Sequence, residues 1–158
     1  MKNRIQNIIT SMPGITAFEW GNMSSFNLTQ DDQVNFPVCL MLPSFERSTP
    51  LKGGLVLTIH TVTLLFVTQS ELSDDYAITR VTTVDSMRDL AKSFVYYLYQ
   101  DIKALSQPEN VTEWFIHSLN PQDKYDFDAF FNAFDVNVDG VGLTVEIPVR
   151  EKIEDCLL

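Results

Sequence analysis

Between Leu55 and Thr68 the chain reads LVLTIHTVTLLFVT, a run of apolar and β-branched residues without Gly or Pro. Such a run specifies one long strand. After a polar connection comes VDSMRDLAKSFVYYLYQDIKAL (Val84–Leu105). Here Val84, Met87, Leu90, Ala91, Phe94, Leu98, Ile102 and Leu105 recur three or four apart, with Arg88, Asp89, Lys92, Ser93 and Asp101 largely off that stripe. The spacing predicts an amphipathic helix. A strand of about fourteen residues would span roughly 45 Å, more than a small domain needs. It is therefore expected to project from its own core or to bend. Its apolar face also changes side: Leu55, Leu57 and Ile59 share one face, and Val62, Leu64 and Phe66 share the other. Alternation with a period of two changes face only through a bulge, a bend or a change of surroundings. The simplest reading packs one half on the core and sets the other against a neighbour such as another subunit. These six residues are the candidate oligomer interface.

Weaker patterns fill in the rest. Ile5, Ile8 and Ile9 stand at helical spacing between Arg4 and Ser11, and Pro13-Gly14 ends that short helix. Ile15–Gly21 alternates as a short strand with Phe18 and Trp20 on one face, and Asn22–Gln33 is a polar loop. Phe36–Leu42 is a second strand, where Pro37 implies an edge position or a strand entry. Residues 43–54 carry Pro, Gly and charge and read as an exposed loop or the tip of a long hairpin. Thr68–Asp75 is a turn cluster, and Tyr76–Thr83 a short strand or a lead-in to the main helix, capped by Thr83 or Asp85. Ser106–Asn110, with Pro108, breaks that helix, and Glu113–Leu119 is a strand. Lys124–Phe134 is dense in aromatics and fits a twisted or bulged strand; Gly142–Val149 alternates cleanly. The predicted class is α+β: a mostly antiparallel sheet with a long protruding hairpin, packed on one main helix and a short N-terminal helix.

Composition adds constraints. With 158 residues the chain has the size of one domain, 1–158, and its apolar content suffices for a core. It carries 21 acidic against 11 basic residues, net −10. That balance disfavours binding nucleic acid by neutralising phosphates. It suits a surface past which DNA slides without sticking. Cys39 and Cys156 are far apart and form no CxxC, so both read as reduced thiols of a cytosolic chain. The N-terminal MKNRIQNIITSM is too broken by polar residues for a secretory core, and no apolar run is long enough to span a bilayer.

One motif matches a known chemistry on paper. Asp135, Asn137, Asp139 and Glu146, with Gly140 at the sixth position, satisfy the oxygen-ligand spacing of a calcium loop. That loop needs a helix on each side, yet Glu146 lies in the alternating GLTVEIPV and Pro148 follows. The competing reading makes Asp139-Gly140 a tight turn between strands. Elsewhere His60 and His117 read as solvated strand-face residues. Nucleophile-elbow, zinc-helix, P-loop and dinucleotide motifs are absent. The acidic groups Asp31-Asp32, Asp74-Asp75 and Asp123/Asp126/Asp128 single out no catalytic pair. On the main helix Tyr97 flanks the core stripe, whereas Tyr96 and Tyr99 lie nearer the opposite face and suggest a protein contact. The expectation is a non-enzyme without cofactor.

The order of helix, strands, long hairpin, helix and strands resembles bacteriophage tail terminator, tail-completion and neck-ring proteins. The residues that carry the resemblance are Phe36-Pro37 opening a strand, LTIHTVTLLFVTQSELSDD, the following VTTVDSMRDLAKSFVYYLYQ, and DGVGLTVEIPV with a Cys near the end. It covers roughly Ile5 to Cys156. It implies a structural virion protein, assembled in the host cytoplasm, that forms a hexameric or dodecameric ring at the head–tail junction (the neck) or caps the tail tube. Neighbouring neck, portal or tail-tube proteins are the implied partners, and DNA passes through without specific binding. The family has no catalytic residues to transfer, and the Asp135–Asp139 segment is not explained by the resemblance.

Overall fold

A computed structural model describes residues 1–22, 36–51, 55–70, 76–105, 125–133 and 138–152. The fold is α+β: six strands in one mostly antiparallel sheet, a long helix and a short N-terminal helix. Helix α1 (Lys2–Ser11) buries Ile5, Ile8 and Ile9, the residues its spacing singles out. It ends at Met12, whose N–H reaches the Ile9 carbonyl at 3.1 Å. Gly14 then takes a positive φ of 89°, with Leu90 Cδ2 close to where a side chain would stand. Strands β1 (Ala17–Trp20) and β2 (Val38–Met41) pair in parallel. Strand β2 lies between β1 and β4 (Leu55–Gln69), so Pro37 marks a strand entry and not an edge. Its carbonyl accepts from both the N–H and the hydroxyl of Thr16.

The centre of the sheet is β4 against β6 (Val138–Lys152), in unbroken register from Leu55↔Lys152 to Gln69↔Val138. β5 (Tyr125–Ala133) borders β6 only up to Tyr125↔Val145 and shifts register between Phe130 and Ala133. That shift is the irregularity its aromatic crowding predicts. On the opposite side, β2 covers β4 at Leu64–Val67, and β3 (Phe45–Leu51) covers it at Leu55–Thr61. Residues 43–54, read as a loop or hairpin tip, therefore hold a seven-residue strand. Its adjacent charges, Glu46 and Arg47, and Pro50 disguise it as a loop.

Helix α2 (Val81–Leu105) packs one face of the sheet, with α1 beside it. Val84, Met87, Ala91, Phe94 and Leu98 are buried, and Leu90 and Tyr97 pack against them from the flank. They meet Val62, Leu64 and Phe66 of β4 and Val141, Leu143, Val145 and Ile147 of β6. The Phe66 and Phe94 rings lie 6.2 Å apart, tilted by 51°. Each such apolar side chain contributes about 1.5–3 kcal/mol on burial, so this layer dominates stability. A smaller cluster, Val38, Leu40, Leu65, Val67 and Val138, lies on the other face.

A π-helical turn at Tyr76–Arg80 precedes α2, so the helical path starts upstream of Val84. Thr83 is not a cap. Its hydroxyl donates back to the Thr79 carbonyl at 2.9 Å, as Thr82 does to Ile78 at 2.8 Å. Those back-bonds satisfy the hydroxyls within a continuing helix. Asp85 instead pairs with Arg88 one turn on. The Asn22–Gln33 loop (beyond Asn22), the break at Ser106–Asn110 and the Glu113–Leu119 strand with His117 lie outside the described residues, as does Cys156.

Candidate interaction surface on the β3–β4–β6 ribbon

Among the described residues, the sheet narrows beyond Val145 on one side and Leu64 on the other to three strands, β3, β4 and β6. The register orders this ribbon into rungs. On one face stand Phe45–Thr61–Glu146, Arg47–Ile59–Pro148 and Thr49–Leu57. On the other stand Glu46–His60–Ile147, Ser48–Thr58–Val149 and Pro50–Val56.

A one-residue insertion creates the difference between the faces. Met41 pairs with Leu64 and Phe45 with Thr61, so Leu42–Ser44 stand opposite Val62 and Thr63 alone. Three residues against two is a bulge, and it reverses the alternation of the bulged strand. Cys39 and Met41 therefore face the helices, while Phe45 and Arg47 face the opposite way. β4 itself carries no bulge; its surroundings change beside it.

The six candidate interface residues divide accordingly. Val62, Leu64 and Phe66 are wholly buried under α2 and present nothing to a neighbour. Leu57 and Ile59 are half-buried on the ribbon, and Leu55 lies at its distal rung. β4 is paired along both sides, by β6 on one and by β2 with β3 on the other. The exposed apolar groups are Phe45, 69% exposed, and Leu51, both on β3. Phe45 and Arg47 are not legible as strand residues because Pro43, Pro50 and two adjacent charges make 43–54 look like a connection.

His60 is buried, not solvated, because its rung on the helix-facing side lies beside Ile147. Its Nδ1 stands 2.9 Å from Glu46 Oε1. Asp139 is neither a turn residue nor placed as a loop ligand. It lies inside β6 opposite Thr68, fully buried, with Oδ2 3.8 Å from Nε of buried Arg80 on the π-turn. Glu146 is seven positions further along the same strand and on its other face, about 23 Å away at strand rise. One cation cannot touch both. Asp135 and Asn137 lie outside the described residues, and among those described no group of three or more His, Cys, Asp or Glu gathers to hold a metal.

Two further surfaces bear on contacts. Tyr96 is exposed on α2 and stacks edge-on against Tyr97, rings 5.9 Å apart. Between α1 and α2 an open groove of about 340 Å³ is lined by Asn7, Ile8, Ser11, Tyr97, Gln100 and Asp101. Arg4 Nε donates to Asp101 Oδ2 at 2.6 Å, tying the two helices. Among the described residues no helix is long and apolar enough to cross a membrane. No family model and no curated protein matches the chain.

Proposed function

We propose that the chain is a structural virion protein that forms a ring at a phage head–tail junction or caps the tail tube. In this role it joins tail to head and lines the channel for DNA. The observation that carries the reading is the narrowed ribbon with exposed Phe45 and Leu51 and half-buried Leu57 and Ile59 on one face. An apolar face displayed on a three-stranded extension marks a protein contact. Repeated around an axis, one such contact closes a ring. The net charge of −10 supports a lumen from which DNA is repelled rather than held. A ring of six or twelve copies, flanked by neck, portal or tail-tube proteins, is the proposed assembly.

Native mass spectrometry with negative-stain microscopy tests this. Ring-shaped particles of defined copy number are expected. A strict monomer at tens of micromolar, with neighbouring neck and tail proteins also present, overturns the reading.

A further inference from the structure

We infer that Phe45 of one copy inserts into the groove between α1 and α2 of the next, each protomer offering a knob on one side and a socket on the other. This rests on the ring reading above and names the surfaces that would make it.

The knob follows from the bulge. Leu42–Ser44 turns Phe45 and Arg47 away from the helices, and Phe45, at 69%, is the most exposed aromatic side chain among the described residues. Pro50 in β3 and Pro148 in β6 each lack an N–H, which blunts strand addition along the rims of the ribbon. A contact made there goes through side chains, and Phe45 is the one that stands clear.

The helix pair builds the socket. Ile8 is buried and Tyr97 half-buried in the groove, whereas Asn7, Ser11 and Gln100 are exposed, so an apolar floor lies under a polar rim. A dry cavity of about 150 Å³ suffices for benzene. The groove, at about 340 Å³, admits a phenyl ring, and against Tyr97 that ring gains an aromatic contact beyond its buried area. Charge fits the same pairing. Arg47, two residues along the strand on the face of Phe45, is exposed and has no ion partner among the described residues. Asp101 at the groove gives Oδ2 to Arg4 and keeps its side chain 36% exposed. A carboxylate so placed can accept from a second guanidinium.

Direction then decides the symmetry. Phe45 points away from the helix layer, and the groove lies in that layer, on the other side of the sheet. A copy seated on the ribbon turns its socket toward it and its own Phe45 away. The two copies cannot exchange knobs across a two-fold axis. The contact therefore runs head to tail, which generates rings or, where the rotation does not close, filaments.

Two variants at exposed positions provide the test: Phe45→Ser removes the knob, and Asn7→Trp fills the socket. Each alone is expected to raise the concentration for half-assembly by about tenfold to hundredfold, as losing one buried aromatic contact does. Mixed, the Asn7→Trp copy still carries a knob and the Phe45→Ser copy a socket, so one contact forms and none can follow it. Sedimentation velocity is expected to show a one-to-one heterodimer and nothing larger. It is read at concentrations on the order of hundreds of micromolar, because a lone contact lacks the gain of ring closure. Circular dichroism checks that each variant keeps the wild-type fold. Variants that assemble as wild type does, or a mixture that stays monomeric or returns to rings, overturn this docking while wild-type rings keep the function reading intact. Open wild-type filaments that both variants abolish uphold the docking and defeat the ring. Wild-type protein that stays monomeric defeats both.

Discussion

His60 Nδ1 lies 2.9 Å from Oε1 of Glu46, its paired neighbour on β3. The approach is close but lacks the alignment of a hydrogen bond. The two sides of the pair are unequal: His60 is buried beside Ile147, whereas the Glu46 side chain is more than half exposed. Glu46→Gln removes the charge and keeps the shape, and is expected to cost under about 1 kcal/mol, as exposed pairs do. His60→Ala empties a buried position and is expected to cost about 1–3 kcal/mol. Urea denaturation of the two variants orders them. Equal losses would mean that the contact with Glu46, and not burial of the ring, holds β3 on the ribbon.

Asp139 and Arg80 form the one ion pair among the described residues with both side chains almost wholly buried. It ties the start of β6 to the π-turn leading into α2. Removing one member leaves a charge in the core, so Asp139→Ala is expected to cost about 3–5 kcal/mol. The double variant Arg80→Met/Asp139→Leu should recover a substantial part of that loss, because the uncompensated charge is gone. Thermal melts with calcium and with chelator discriminate the two roles considered for Asp139. A buried structural anion predicts the same loss in both, whereas a calcium ligand predicts a loss only when calcium is present.

Gly140 and Gly142 occupy the same strand and tolerate a side chain differently. A Cβ at Gly140 would collide with the Phe66 carbonyl oxygen and stand 2.9 Å from Phe130 Cζ and 3.0 Å from Val67 Cγ1. At Gly142 the nearest atom is Leu65 Cδ2 at 3.5 Å, an ordinary contact. Gly140→Ala is therefore expected to destabilise by about 1–3 kcal/mol or more through overpacking against backbone. Gly142→Ala should stay within about 0.5 kcal/mol. Chemical denaturation of the two variants checks the contrast; equal midpoints would mean that the β4–β6 pair is looser than its register implies.

These residues show where periodicity suffices and where it does not. The span of β4, the stripe on α2 and the three isoleucines of α1 follow from local alternation or helical spacing, and each such pattern maps directly onto a buried face. The face change along β4 was also visible, but its cause lies in another strand. Leu42–Ser44 carries the extra residue, and no property of β4 reveals a bulge across the ladder. Asp139-Gly140 misleads for a related reason. Asp-Gly is a turn signal when solvent or local backbone satisfies the carboxylate, but here that carboxylate faces Arg80, remote in sequence. His60 is likewise buried by a rung of two other strands. On the ribbon, Leu57 and Ile59 were legible as apolar residues away from the core stripe. Phe45 and Arg47 become part of the surface only once β3 is known to be a strand.

Cys39 sits on β2 beside Phe66, wholly buried among the side chains under the helices. Burial away from water disfavours the thiolate and pushes its thiol well above the ordinary value. Because the folded-state value is raised, the associated stability is present in full below the thiol's unfolded value, about 8.5. It is lost progressively as pH rises above that point, where the unfolded chain ionises and the folded one does not. Two measurements follow. Iodoacetamide at pH 8, read by mass spectrometry on the Cys39 peptide, should leave Cys39 unmodified in the native protein and label it in denaturant. In the Cys39→Ala variant, the fall in stability between pH 8 and pH 10 should be shallower than in the wild type. Rapid labelling of Cys39 in the folded protein would show that β2 opens readily from the sheet, and with it the layer that fixes the root of the ribbon.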